Sequence, residues 1–408
     1  MIAFFTKNAR WLAAGFLLLF SSSFGQTFFV SLSGGAIRSE FGLSNGAFGT
    51  LYMAVTLVSA LALAYVGKFV DGTSARRIVL PTIVLLALGA AGLAIAPNLA
   101  VLAFSFFLLR LMGQGMMVHS AYTLLGRWFS GERGKAVSMS SIGLNVGQAL
   151  LPLVFVAATA VLGWRNVWLG AALFLIFLVL PSAWVLLRKE RMPEAGGAAA
   201  NQQLAQGATR AEVLRDPYFY LLLLAMLPPA FISNTIFFHQ VYLAQLRGWS
   251  IEVMASAFPL YAAVSVACVL IAGQVVDRKS ALAILPYYLL PFGIGCLILG
   301  SVGAPWAAFA FMLLYGVMDG FSLTLFGTLW PEIYGTRHLG AIRAVLVAIM
   351  VFASALGPGL AGILIDGGVS LLAIIIVMGL YCLGVSALML VMRKRIAARA
   401  HEARAYLP

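Results

Sequence analysis

Apolar residues run through this chain in long blocks, and polar residues gather in the short gaps between them. Twelve blocks stand out, at 11–34, 45–67, 78–96, 99–124, 136–161, 166–187, 218–245, 252–275, 281–302, 306–330, 341–365 and 369–392. Each is long enough to cross the ~30 Å hydrocarbon core of a bilayer as a helix. None alternates with the two-residue period of a barrel strand. In lipid a chain must satisfy its own backbone hydrogen bonds, so helices are expected throughout.

Charge sharpens that picture. The chain has 408 residues, 62% of them hydrophobic and 10% charged, against about 25% charged in a soluble domain. A net charge of +13 would suit nucleic acid if it were clustered, but it is distributed by loop. With the N-terminus inside, 22 Lys and Arg fall in cytoplasmic segments and only Arg38, Arg165 and Arg247 in outside loops, which leaves Arg110 within a span. That asymmetry puts both termini in the cytoplasm of a multi-pass protein of the cell inner (plasma) membrane. The partner it implies is the lipid bilayer and not nucleic acid. The first block is too long for a signal-peptide core and lacks a small-residue cleavage site, so a retained helix is expected. Cys268, Cys296 and Cys382 lie in three different spans without metal-ligand spacing, and neither a metal nor a cofactor is expected.

Between 188 and 217 the composition turns small and polar (EAGGAAANQQLAQGA), like a linker. Thr209 and Glu212 have capping-box spacing, so a short helix is predicted there, ending at Pro217. The expected organisation is a six-helix bundle over 1–187, a cytoplasmic linker over 188–217, a second bundle over 218–392 and a basic tail over 393–408. The halves repeat. Gly67-Lys-Phe-Val-Asp71 follows the second span and Gly273-Gln-Val-Val-Asp277 the eighth. GMMVHSAYTLLG (115–126) aligns without a gap on GVMDGFSLTLFG (316–327), and Gly147 and Pro152 face Gly357-Pro358-Gly359. Two pseudo-symmetric six-helix bundles joined by a linker suggest a transporter with its site near mid-membrane.

GKFVDGTSARR resembles the loop motif of the major facilitator superfamily, with Gly67, Asp71, Arg76 and Arg77 matching and Gly72 and Ser74 departing. The second copy keeps Gly273, Asp277 and Arg278. Arg110 followed by Gly113-Gln114-Gly115 is similar to the family's fourth-helix motif. RWFSGERGKAVSMSSIGLNVG, the Gly163-Trp164-Arg165 corner and EVLRDPYFY resemble the monocarboxylate and oxalate/formate carrier branch. The eighth span, FPLYAAVSVACVLIAGQVV, lacks the basic residue that carboxylate carriers place there. The resemblance implies twelve helices, alternating access, and a gating role for Gly67, Asp71, Arg76, Arg77, Asp277 and Arg278. In it the loop aspartate braces the cytoplasmic end of the eleventh helix, whose dipole favours a negative charge.

Polar residues within the spans are the candidates for the path. An arginine at mid-helix costs about 2.5–3.5 kcal/mol on insertion scales. Arg110 therefore faces a cavity, the favoured reading, or ties neighbouring helices. At 100° per residue Gln114 shares its face and His119 lies opposite, as a bond between packed helices. Ser138, Ser141, Asn145 and Gln148 form one polar stripe that either lines water or joins helices. Ser22, Gln26 and Ser33 fall on one side of the first span. A bend is predicted at Pro228-Pro229, with Thr235 and His239 sharing a face beyond it. Asp319 is the one carboxylate placed at mid-depth, with Tyr315 on its face; it is a proton-site candidate or half of a helix-fixing ion pair. Substrate contacts are thus expected from Arg110, Gln114, Gln26, Asn145, Gln148, His239 and Tyr315, and proton coupling from Asp319 or His239.

No phosphate loop, zinc-type spacing or Ser-His-acid set suggests an enzyme. The expected function is secondary active transport of a small organic anion, monocarboxylate-like and proton-coupled, by a monomer. A drug or metabolite exporter of the same superfamily is the alternative. A transporter-like membrane sensor is the alternative of another class, and accumulation of labelled substrate in proteoliposomes would separate it from a carrier.

Overall fold

The computed structural model describes residues 2–129, 132–189, 191, 207–335 and 337–405. Among these the chain is helical, with one isolated backbone bridge between Gly207 and Gly335. The helices of six or more residues are α1 Ile2–Ser22, α2 Gly34–Phe41, α3 Asn45–Val66, α4 Ala75–Ile95, α5 Leu99–Trp128, α6 Arg133–Leu162, α7 Trp164–Leu186, α8 Arg210–Arg215, α9 Pro217–Phe238, α10 Gln240–Arg247, α11 Ile251–Lys279, α12 Leu290–Ser301, α13 Trp306–Tyr334, α14 Leu339–Asp366 and α15 Leu371–Ala405. Ten helices among the described residues are long and apolar enough to cross a membrane, and a bent pair, Thr6–Gly25 with Thr27–Phe41, makes an eleventh span.

The predicted spans depart from ideal helices in four places, each with a local cause. The first bends by 47° at Gly25-Gln26, where Gly25 lies so close to another backbone that a Cβ would stand 2.1 Å from the Leu109 carbonyl oxygen. The seventh is interrupted at Leu227, before Pro228-Pro229, because proline lacks an N–H and crowds the preceding turn. The ninth is cut to twelve residues, 290–301, since Pro286 and Pro291 confine the start of the helix. The twelfth runs past its apolar block to residue 405; RKRIAARAHEARA is built of strong helix formers.

Within the 188–217 segment the predicted short helix is present. Residues 192–206 lie outside the described residues. Thr209 caps α8 as a capping box: its N–H donates to Glu212 Oε2 at 2.7 Å and its Oγ1 accepts from the Glu212 N–H at 3.4 Å.

Two compact units divide the chain. The first is Met1–Gly197 with Phe237–Tyr242 and Pro358–Asp366; the second is Ala198–Ile236, Leu243–Gly357 and Gly367–Pro408. The ends of α9 and α14 thus belong with the first unit. Small residues set the helix spacing within each. In the first, Gly143 and Gly147 of α6 face α1 so closely that a Cβ would stand 2.2 Å from the Phe16 carbonyl or the Ser23 hydroxyl. In the second, a Cβ on Gly293 of α12 would stand 3.0 Å from Gly379 O of α15, and one on Gly379 2.9 Å from Gly293 O. Without a hydrophobic drive between helices in lipid, such close backbone packing is what binds them.

Candidate functional site

In the first unit the break in the first span and a distortion of α5 meet. Residues Leu109–Met117 form a π-helical segment, a widening that occurs disproportionately at functional sites. Gly113 fits against Gly25, where a Cβ would come within 2.7 Å of the Gly25 Cα. The break leaves carbonyls of the first span without helical partners, and Arg110 takes one of them. Its Nη1 donates to Gly25 O at 3.2 Å and to Thr27 Oγ1 at 3.1 Å. The guanidinium lies 5.2 Å over the Tyr52 ring, and Tyr52 donates to the same Thr27 hydroxyl at 3.2 Å. Arg110 is only 3% exposed, so the expectation of a cavity-facing arginine is corrected in this conformation: it is a closed-off cation bonded to backbone. Its Nε has no hydrogen-bond partner, and no carboxylate pairs with it among the described residues. The edge of the guanidinium that forms two parallel bonds to a carboxylate therefore stays unused.

The π-helical segment also voids the 100° count that separated Arg110 from His119. Gln26 and Gln114 are half-buried beside the same break, with the Gln114 backbone nitrogen 2.8 Å from a Cβ at Gly25. Ser22 and Ser33 do not join them: both are buried, Ser22 bonded back to Leu19 O and Ser33 accepting from the Trp168 indole at 2.7 Å. On α6, Asn145 and Gln148 are half-buried, and Asn145 donates to Ser141 O of its own helix at 3.2 Å. His239 is 3% exposed, with Nε2 at 3.1 Å from Pro358 O. It is joined to the arginine through rings: His239 meets Phe238 edge-on at 5.0 Å, and Phe238 lies 4.7 Å from Tyr52.

The loop motif is held from α5. His119 Nε2 lies 3.1 Å from Gly67 O, and Arg127 Nη1 donates to Val70 O at 3.0 Å and to Thr73 O at 3.4 Å. Gly67 is buried, Arg76 sits 4.5 Å over the Trp184 ring, and Arg77 is exposed. The side chains of Asp71 and Asp277 lie outside the described residues. Arg278 is exposed, and the second copy of the motif is a straight continuation of α11.

The second unit holds its charge differently. Gly316 and Gly320 flank Asp319 on α13 and admit α11 so closely that a Cβ on Gly320 would meet Ser265 O at 2.7 Å, and one on Gly316 Tyr261 O at 2.9 Å. That approach delivers Tyr261 OH and Ser265 Oγ, both donating to Asp319 Oδ2 at 2.9 Å. Tyr315 stacks on Tyr261 at 4.8 Å. Asp319 is partly buried and has no ion-pair partner among the described residues, so the helix-fixing ion pair is absent there. The sequence reading missed Tyr261 and Ser265, although their spacing of four in an apolar helix already put them on one face. It missed Thr27 and Tyr52 because the bend that brings Thr27 to Arg110 has no proline to announce it.

Comparison with known proteins fits this arrangement. A curated relative, an uncharacterized 38 kDa protein in the 23S RNA operon of Thermoproteus tenax, is 30% identical over 149 residues, 36% of this chain and 39% of that protein. Among solved structures, a bacterial homolog of the human lysosomal transporter Spinster superposes with a TM-score of 0.65 at 15% identity, over 97% of this chain and 96% of the other. A POT family transporter crystallised with 5-aminolevulinic acid gives 0.69 at 13%, over 94% and 96%. At such identities the likeness is one of fold. The sequence profile of the Major Facilitator Superfamily matches residues 15–358, and the chain therefore belongs to that superfamily, as a multi-pass membrane transporter.

Proposed function

We propose that this transporter carries a small organic anion with a carboxylate, by alternating access and together with a proton. The observation that carries the reading is Arg110. A membrane-buried cation without a counterion is costly, and its unused Nε edge has the geometry that binds carboxylate through two charge-assisted bonds. Tyr52 lies against it and Phe238 packs on Tyr52, so substrate reaches it once they move aside. Gln26 and Gln114, at the same break, would supply further polar contacts, with Asn145, Gln148, His239 and Tyr315 the remaining candidates. The resemblance to monocarboxylate and oxalate/formate carriers points to the same substrate class. Asp319 serves as the proton site: one carboxylate oxygen is held by two hydroxyls and the other is left for a proton, with His239 the second candidate. A proton travelling with the anion removes the charge moved, worth about 2.3 kcal/mol per elementary charge per 100 mV.

Gating by the loop carrying Asp71, a monomeric carrier, and both termini on the cytoplasmic side of the inner membrane complete the reading. The test is uptake into proteoliposomes of labelled formate, oxalate, lactate and pyruvate under an inward proton gradient. Accumulation of at least one, lost on collapse of the gradient, is expected; uptake of cationic or neutral solutes alone would overturn the anion assignment. Single cysteines at Gly197 and Ala304 should label from opposite sides.

A further inference from the structure

Asp366 is the last residue of α14. There the free carbonyls of its own helix disfavour a negative charge. Its carboxylate faces the start of α3 instead: Oδ2 accepts from Ser44 Oγ at 2.5 Å and from the Gly46 N–H at 2.9 Å. Ser44 is the N-cap of α3, and its hydroxyl also accepts from the Ala47 N–H at 3.0 Å. Asp366 thus completes a cap whose residues come from 320 positions away in the chain.

Below the cap, glycines bring the two backbones together. A Cβ on Gly362 would stand 2.5 Å from Asn45 O, and one on Gly49 2.6 Å from Pro358 O. Alongside, the Phe237–Tyr242 segment is fastened by Gln240, whose Nε2 donates to Phe28 O and Ser31 Oγ at 2.8 Å, and by Ser31, which donates to Phe237 O at 2.6 Å. This segment carries Phe238, which lies against Tyr52, the ring that the Arg110 guanidinium sits over. His239 links the two pieces through Pro358 O.

We infer that Asp366 is the latch of an outer gate: by capping α3 it holds the 358–366 and 237–242 segments over Arg110, and it must let go for substrate to reach the arginine from the side opposite the linker. The inference rests on the alternating-access reading. Asp366 is exposed, so water screens the contact and its effect on the gate is modest, about two- to fivefold in the open population. The glycine seam adds the shape that makes the closed state fit.

The test places a reporter cysteine at Val30, which is fully buried beside Ser31 and takes no part in the hydrogen bonds that fasten the 237–242 segment, in a variant lacking Cys268, Cys296 and Cys382. The labelling rate with a membrane-impermeant maleimide is read from the outside of sealed cells. Asp366→Asn removes one charge from an exposed side chain, so folding is not at issue; it should raise the rate about two- to fivefold. Gly362→Ala, which wedges the seam through backbone, should raise it at least as much. Acceleration by Gly362→Ala with none by Asp366→Asn would overturn the latch and leave alternating access standing. No acceleration by either would overturn the latch and the opening motion beneath it.

Discussion

Arg110 and Asp319 occupy the fourth and tenth spans, the pair aligned by the sequence repeat, and each lies beside glycines that admit a neighbouring helix. The chain holds the two charges in opposite ways. Around Arg110 the helix itself is deformed, into a π-helical segment facing the break in the first span, and the guanidinium is sealed in and bonded to backbone. Around Asp319 the helix stays regular, and two hydroxyls from α11 take one carboxylate oxygen while the group remains partly exposed. A cation that cannot lose its charge needs an environment that supplies acceptors at all times, and backbone carbonyls do that. A carboxylate that must exchange a proton needs one oxygen steadied and one accessible. Under the proposed function the contrast divides the work between the two halves: fixed recognition in one, changeable charge in the other.

The strongest way to break the comparison is to freeze the changeable charge. Asp319→Asn mimics the protonated carboxyl and cannot cycle. In proteoliposomes it should abolish uphill, pH-driven accumulation while substrate exchange between equal pools persists. Full gradient-driven accumulation would remove Asp319 from the proton pathway.

The packing that presents Asp319 offers the next effect. Gly320→Ala puts a methyl 2.5 Å from Cys268 Cβ and 2.7 Å from Ser265 O. Overpacking of this kind costs about 1–3 kcal/mol. It should lower the thermal midpoint of the purified protein and weaken coupled uptake together. Gly327→Ala, on the same helix with open space around it, should do neither.

On the arginine side, Tyr52→Phe keeps the ring under the guanidinium and removes one hydrogen bond to Thr27, worth about 0.5–1.5 kcal/mol. Tyr52→Leu removes the ring as well. Thermal unfolding should rank wild type above Phe and Phe above Leu; an unchanged midpoint for Leu would show that Tyr52 does not steady Arg110.

The smallest effect belongs to the linker, away from both charges. Hydrogen bonds from the Thr209 backbone, and then its side chain, hold the Glu212 carboxylate below the usual range. A lowered folded value means that this cap stabilises α8 above the ordinary carboxylate pKa of about 4.3 and is lost as pH falls through the lower folded value. Glu212→Gln should lower the melting midpoint slightly at neutral pH and coincide with wild type once the pH falls below the lower folded value. A difference that persists in full at low pH would mean that Glu212 acts by another route.

How much of this could be read in the sequence depends on the range of the interaction. Apolar blocks report burial in lipid directly, so the helical membrane fold was legible, and the Thr209–Glu212 cap was legible because it spans three residues. Pro228-Pro229 announced its break. The break at Gly25-Gln26 was not legible, because a glycine fitted against a remote glycine looks like any small residue in an apolar run. That one bend decides where Arg110 points, and it removes Ser22 and Ser33 from the path. Asp366 falls one residue beyond its apolar block, and only the fold brings α3 to it.

The most direct test of the account is binding at Arg110. Carboxylates found to be transported should be titrated against wild type, Arg110→Lys and Arg110→Gln, with thermal stabilisation as the readout. Lysine keeps the charge and loses the planar fork. The account predicts strong stabilisation of wild type, weak stabilisation of Lys and none of Gln, with all three folded. Equal stabilisation of wild type and Gln would contradict it, and would leave Arg110 as a tie that holds the broken first span in place.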